Sequence, residues 1–469
     1  MAHPIAPDYG QQFLFPPALE DWVPKGHPVR FIREFVEQQD LAKLGFAMPI
    51  AIEGRPPYAP GLLLKIWLYG YHHRVRSTRK LEAACRDQLP LLWLSGMIAP
   101  DHNSLWRFWR DNKSALRQLF KQSVKLAINA GLVGLVLQAV DGTKIQAAAS
   151  SYSGWSKEHM QKLLAALDGE LKETEKELEQ EAPVLEGSAY RLPQELEQRE
   201  ALRAAVKAGL EQLEQDSRTH YHSKEPEARR MKCEGKRPFA YNAQAVVDET
   251  HGVVVAADIT VEETDSHELV RMVEQAQQNT RAAKAVLTVA DGGYGSGAQV
   301  AEGAKRKLDL LVQPQDGGEH KAAGYSARDF QYNALASTVT CPQNKQLDYA
   351  GELQQKGQPV KRYRCHVKDC PVAKLCKDSK GRRVIEIWQH TAAVQEMRKR
   401  LANPEAHQML RKRSRIIERH FGHIKQHDGF RRWTVRGADN VRTQWALINL
   451  TMNLRLLHRL WSKQKQHFN

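Results

Sequence analysis

LVLQAVDGTKIQA, residues 135–147, is the stretch on which the fold turns. Leu135–Val140 is a run of strand-forming residues, followed at once by Asp141 and Gly142. The pattern predicts a strand with a carboxylate at its end, although a lone Asp before Gly is also an ordinary turn residue. Outward from it, AYNAQAVVD (240–248) and GVVVAADIT (252–260) are two further strand-like runs joined around His251 and Gly252, and SHELVRMVEQAQQ (266–278) has helical periodicity. KAVLTVA (284–290) ends in Asp291 before the turn GGYGS, and helix-like QVAEGAKRK (299–307) and strand-like LDLLVQP (308–314) follow.

The expected order is therefore three strands, helix, strand, helix, strand. Acids ending the first and fourth strands, with those strands adjacent, are what an α/β ribonuclease-H-like fold provides. A third acid, Glu418, lies in RKRSRIIERHFGHIKQHDGFRRW (411–433), a basic amphipathic helix in which Ile416, Ile417, Phe421 and Ile424 can face a core. Lys425 follows Glu418 by seven residues, close to two helical turns, which predicts a shared face. Ion pairs of Glu418 with Arg415 and Arg419 are the simpler reading of that acid. Three carboxylates on separate elements suit hard divalent cations, Mg²⁺ or Mn²⁺, two of which can activate an attacking oxygen and stabilise the leaving one in phosphodiester displacement. Arg415, Arg419 and Lys425 would then hold phosphates.

Composition agrees with a nucleic-acid partner. The chain of 469 residues allows about three folding units. Its net charge is +15, and residues 398–469 hold 17 Lys or Arg against 4 Asp or Glu. Residues 162–218 are opposite in sign, with 14 acids against 8 bases, and carry apolar seams at Leu164, Leu171 and Leu178 and at Leu202, Val206, Leu210 and Leu213. Pro183, Gly187, Ser188 and Pro193 separate the two seams, so an antiparallel helical hairpin with an acidic face is expected, ill suited to gripping DNA. The longest uncharged apolar run, Gly131–Val140, is ten residues, about half of a membrane span, so no membrane partner is expected. The N-terminus lacks a basic and apolar leader pattern, which predicts a cytoplasmic, nucleoid-associated location.

Residues 60–112 read as short helices, started by Pro60 and capped by Ser77 and Asp101. The last of them sets Trp106 and Trp109 among Arg107, Arg110 and Lys113. Arg107 and Arg110 could reach DNA from such a helix, and a small bundle with a basic face gives the same pattern. His72 and His73 have no ligand partner at metal spacing and are expected to pack or face solvent. Cys341, Cys365, Cys370 and Cys376 form C-x23-C-x4-C-x5-C, a possible structural zinc set with His366 as an alternative ligand, or else free packed cysteines. Cys85 and Cys233 are expected to pack or stay free.

With these motifs in view the sequence resembles the DDE transposases of bacterial insertion sequences, and among them the insertion-sequence family numbered eleven-eighty-two. The resemblance runs through residues 13–32, 54–96 and 100–108 in the N-terminal region. It continues through VDGTKIQA (140–147), RRMK (229–232), residues 240–256, ADGGYGS (290–296), IIERHFGHIK (416–425), GFRRWTVRG (429–437) and NLRLL (453–457). It implies that Asp141, Asp291 and Glu418 are the metal-binding catalytic triad and that Lys425 is the lysine following the glutamate. Arg411 and Ser414 stand where relatives often carry Tyr and Arg. The organisation expected is a helical DNA-binding domain (1–125), the ribonuclease-H-like core in three pieces (126–160, 223–315 and the basic helices 398–469), a helical-hairpin insert (161–222) and a cysteine-bearing insert (316–397). The implied function is binding of terminal inverted repeats, metal-dependent strand cleavage and strand transfer, by a homodimer on double-stranded DNA. The alternatives are a nuclease of the same fold that does not join strands and an inactive transposase-derived DNA-binding protein.

Overall fold

The computed structural model describes residues 18–48, 56–150, 154–181, 194–315, 324–355, 357–367, 370–376 and 382–466. They divide into two compact units, one of residues up to Ala130 together with those from Ala446 onward, the other Gly131–Trp445.

The first unit is helical, with α1 (Pro28–Glu37), α2 (Pro60–His72), α3 (Thr78–Asp87), α4 (Leu89–Ser95), α5 (His102–Asp111) and α6 (Lys113–Asn129). Pro60 opens α2 and the Asp101 carboxylate accepts from the Asn103 and Ser104 N–H groups, as their positions lead one to expect. Ser77 stands at the N-cap of α3 without a side-chain cap bond. Helix α2 buries Leu63, Leu64, Ile66, Trp67 and Leu68, because it is apolar on nearly every side. His72 packs inside this unit, and burial pulls it down to about 3, so its ring is neutral, whereas His73 is exposed and stacks on Tyr69 with centroids 4.2 Å apart.

The second unit is built on β1 (Leu137–Gln146). After it come β2 (Gly154–Ser156), α7 (Lys157–Glu181), α8 (Gln194–Gln215), β3 (His220–His222), β4 (Arg229–Arg230), β5 (Phe239–Asp248), β6 (Val254–Thr260), α9 (Leu269–Thr280), β7 (Leu287–Ala290), α10 (Gly297–Lys305) and β8 (Leu310–Val312). The central sheet runs β4-β5-β1-β7-β8, with β6 also on β5. β5 is antiparallel to β1 and β6, whereas β7 is parallel to β1 and β8 parallel to β7. One expectation needs correcting: β1 does not end at Asp141 but continues to Gln146, because the ten residues of β5 pair with it past that point.

Helices α7 and α8 pack through Met160, Val206 and Leu213, with Leu164 and Leu210 alongside. Leu202 is exposed, and the breaks Pro183, Gly187, Ser188 and Pro193 lie outside the described residues. Past the core strands come β9 (Gln331–Asn333), β10 (Thr338–Thr340), β11 (Gln346–Gln355), β12 (Gln358–Cys365), α11 (Ala373–Cys376) and β13 (Arg383–Ile387), whose strands form a separate antiparallel sheet. Its core is Phe330, Val339, Leu347, Tyr363, Ile385 and Ile387. The chain closes with α12 (Thr391–Leu401), α13 (Pro404–Gly422) and α14 (Ala438–Gln466).

Residues 446–466 of α14, expected with the core as part of 398–469, group instead with the N-terminal helices. The reason is visible in their side chains. Trp461 Nε1 donates to Glu34 at 2.8 Å, Arg455 donates to the His72 carbonyl at 2.9 Å, and Asn453 donates to Ser123 Oγ at 3.2 Å.

Candidate functional site

The parallel pairing of β1 with β7 sets the site. Leu137, Gln138 and Ala139 lie opposite Leu287, Thr288 and Val289, and the same register carried two residues further brings Asp141 level with Asp291. Asp291 leaves the end of β7 as a cap, its carboxylate accepting the Gly293 N–H at 2.8 Å. Asp141 accepts the Gly142 N–H at 2.8 Å and the Arg413 guanidinium at 2.6 Å. Burial pushes Asp141 up to about 6, Arg413 and the Gly142 N–H pull it back, and the charges of Asp291 and Asp265 raise it again.

That shift has a consequence for stability. An unfolded Asp titrates near 3.9, so between about pH 4 and 6 the folded chain holds a proton that the unfolded chain has shed. The associated stability is fully present below about pH 4 and is lost as pH rises through about 6, on the order of 3 kcal/mol. Asp141→Asn is expected to remove this part of the decline. Urea unfolding from pH 4 to 7 checks it: identical pH slopes for parent and variant would show that Asp141 has an ordinary affinity for protons.

The opposite face of β1 carries a polar cluster that sequence reasoning missed. Lys144 pairs with Asn242 and Gly142 with Gln244 across the strands, so these positions share one face and Asp141 lies on the other. Asp265 collects the cluster, accepting from Lys144 at 2.8 Å, Asn242 at 2.6 Å and Gln244 at 2.7 Å. Buried Tyr294, three residues after Asp291, donates to Gln244 Oε1. Its hydroxyl is pushed well above its ordinary range, by burial first and then by Asp265, Asp141 and Asp291. Gly142 makes room for this cluster: a Cβ there would stand 2.8 Å from both Asn242 Oδ1 and Asp265 Oδ1 and closer still to Gln244 Nε2. The available signal was Asn242 and Gln244, two amides alternating within an otherwise apolar strand, where buried polar groups need partners.

Helix α13 lies along β1 with Ile416, Ile417, His420 and Phe421 buried, as the apolar seam requires. What it presents to Asp141 is Arg413, four residues before Ile417. Glu418 is exposed and, among the described residues, makes no hydrogen bond or ion pair, with Arg415, Arg419 or either aspartate. The expected shared face of Glu418 and Lys425 also needs correction, because the α-helix ends at Gly422 and Lys425 sits in a π-turn, His423–His427. Lys425 Nζ reaches the Lys144 carbonyl at 3.3 Å, three residues along β1 from Asp141. The structure thus brings Asp141, Asp291 and Arg413 together and leaves Glu418, Arg415 and Arg419 open to solvent.

Arg107 and Arg110 are exposed on α5, with Arg110 paired to Asp111 at 2.7 Å. Trp109 is buried with Leu105 and Phe108 and anchors the helix, and the exposed Trp106 stacks on it at 5.5 Å. Cys341, Cys365 and Cys376 pack against the core of the separate sheet. Burial pushes the Cys376 thiol up, and Cys365, Cys370 and Cys341 lie near enough to raise it further. His366 is exposed and turned toward Asp348 at 4.0 Å.

Residues 340–458 match the Transposase DDE domain family, and residues 17–111 match the Transposase domain (DUF772) family. Both are transposase families. The first match contains all four clustered cysteines, Glu418 and Lys425 but neither aspartate, and the second contains α1–α5 with Arg107 and Arg110. Together they support a DDE transposase, an enzyme of DNA transposition and recombination that uses divalent metal ions. No curated protein matches the chain.

Proposed function

We propose that this chain is the transposase of an insertion sequence in the family numbered eleven-eighty-two, that it binds the element's terminal inverted repeats as a homodimer, and that it cuts and rejoins DNA strands at Asp141 and Asp291. The observation that carries the reading is the pair of aspartates level on adjacent parallel strands of the β4-β5-β1-β7-β8 sheet, an arrangement that supports a ribonuclease-H-like core. Their donor set fits Mg²⁺ or Mn²⁺: both offer hard oxygens, and Asp141 already takes a cationic partner in Arg413. Two such ions, when bound, supply activation of the attacking oxygen and stabilisation of the leaving one. Asp141 and Asp291 would hold that charge, and the family resemblance assigns the third ligand to Glu418, which is exposed on α13. Arg413, paired with Asp141 here, would be free to meet a phosphate once that aspartate holds a cation, and Lys425, Arg415 and Arg419 would meet the neighbouring backbone. Cys341, Cys365, Cys370 and Cys376 offer soft thiolates of the kind a structural Zn²⁺ takes.

Purified chain with Mg²⁺ and a duplex carrying the element's end is expected to expose a 3′-hydroxyl and, given precut ends, to join it to target DNA. Cleavage without joining would identify a nuclease instead, and binding with neither would identify an inactive derivative.

DNA reading belongs to the N-terminal unit in this proposal. Arg107→Ala in the full chain is expected to weaken preference for terminal-repeat over random duplex by about 1–3 kcal/mol if it contacts a base. Competition binding at fixed salt measures this, and an unchanged preference moves recognition elsewhere. The full chain is required because residues 446–466 complete that unit.

A further inference from the structure

The π-turn His423–His427 is an uncommon winding, and such turns cluster at functional sites. The Asp428 N–H donates to the His423 carbonyl, five residues back, at 2.9 Å. In an α-helix a residue five positions on lies about 140° round the axis, whereas the wider turn brings positions four and five on beside the first. His423, His427 and Asp428 are gathered in this way, with one ligand atom from each within 4.8 Å of the others. His427 Nδ1 is 3.2 Å and His423 Nε2 3.7 Å from Asp428 Oδ1. Asp428 is buried, His423 half-buried and His427 exposed, so the cluster has one side open to solvent.

We propose that His423, His427 and Asp428 form a binding site for a divalent cation of the Zn²⁺ class, separate from the paired aspartates. Two imidazoles and one carboxylate are a recognised zinc donor set, with water in the fourth position. Bonds of about 2.0–2.2 Å in a tetrahedron separate ligand atoms by roughly 3.3–3.6 Å, close to the spacing found around Asp428. The two rings are stacked, with centroids 4.3 Å apart, and must turn out of that stack to aim both nitrogens at one ion. Mg²⁺ prefers oxygen ligands, so the imidazoles select against it. Lys425 lies inside the turn, and closing the three side chains on an ion stiffens the segment that carries it.

The test is a Co²⁺ titration of the full chain in excess Mg²⁺, which fills oxygen-only sites. Cobalt bound by nitrogen and oxygen is read from its weak visible absorption, apart from the intense near-ultraviolet band of any cobalt on cysteine thiolates. The parent is expected to take up one equivalent of the first kind, displaceable by Zn²⁺. His427→Ala, altering an exposed side chain, and Asp428→Asn should each weaken that binding by about tenfold or more, with the thiolate band unchanged. An unaltered visible band and affinity in His427→Ala overturns the proposal, as does failure of Zn²⁺ to displace the cobalt.

Discussion

Asp141→Asn and Asp291→Asn are each expected to slow strand cleavage by roughly 10³-fold, about 4 kcal/mol of transition-state stabilisation, while end binding stays close to that of the parent. The asparagine keeps the shape of the side chain and removes its charge. At Asp291 the cap to the Gly293 N–H survives through the amide oxygen, so the turn after β7 is retained. At Asp141 the ion pair with Arg413 is lost, which leaves a guanidinium facing the site without its carboxylate. Phosphate binding is therefore not weakened by that change, and separating binding from cleavage is the purpose of the experiment. Single-turnover cleavage of a terminal-repeat duplex at saturating protein and Mg²⁺ reads the effect. A variant that cleaves near the parental rate removes its aspartate from the site. Glu418→Gln, measured in parallel, decides whether the exposed glutamate acts with the pair.

The second large effect is on folding. Gly142→Ala places a methyl group against Asn242 Oδ1, Asp265 Oδ1 and Gln244 Nε2, none of which can move alone because Asp265 binds both amides and Lys144. Overpacking of this kind costs about 1–3 kcal/mol, and here it also separates buried polar groups from their partners. The urea midpoint of the core should fall accordingly. Gly169→Ala is the control: it lies within α7, a Cβ there meets nothing within 4 Å, and alanine should stabilise that helix by about 0.5–1 kcal/mol. Equal midpoints for the two variants would show that the space above Gly142 is not confined.

Asp141 and Asp291 were legible in the sequence because the signal is local, an acid at the end of an apolar run followed by glycine. Their adjacency followed from strand order, and the β1–β7 pairing bears it out. Ile416, Ile417, Phe421 and Ile424 were legible for the same reason, since a periodic apolar seam states which face is buried. Arg413 was not, because one arginine among many on a basic helix is distinguished only by the carboxylate opposite it, 272 residues earlier in the chain. The π-turn was hidden as well: FGHIKQHDG reads as continued helix until the five-residue hydrogen bond is seen. Asp265 joins the cluster from the loop before α9, where VEETDSHE looks like an ordinary solvated acidic stretch.

The last helix bears on how the protein is made. Domains emerging from the ribosome generally fold in order, the N-terminal one first. Here that order is broken, because Asn453, Arg455, His458 and Trp461 supply contacts to Ser123, His72, Gly26 and Glu34, and each is translated at least 330 residues after its partner. The helical unit is begun before the sheet unit and completed after it. A nascent chain can assemble β1–β8 while helices α1–α6 still lack their closing partner, so the apolar side of α1 at Phe31, which packs on His458 and Trp461, stays uncovered until α14 is made. A stop codon ahead of residue 446 is therefore expected to damage the helices α1–α6 as well as α14.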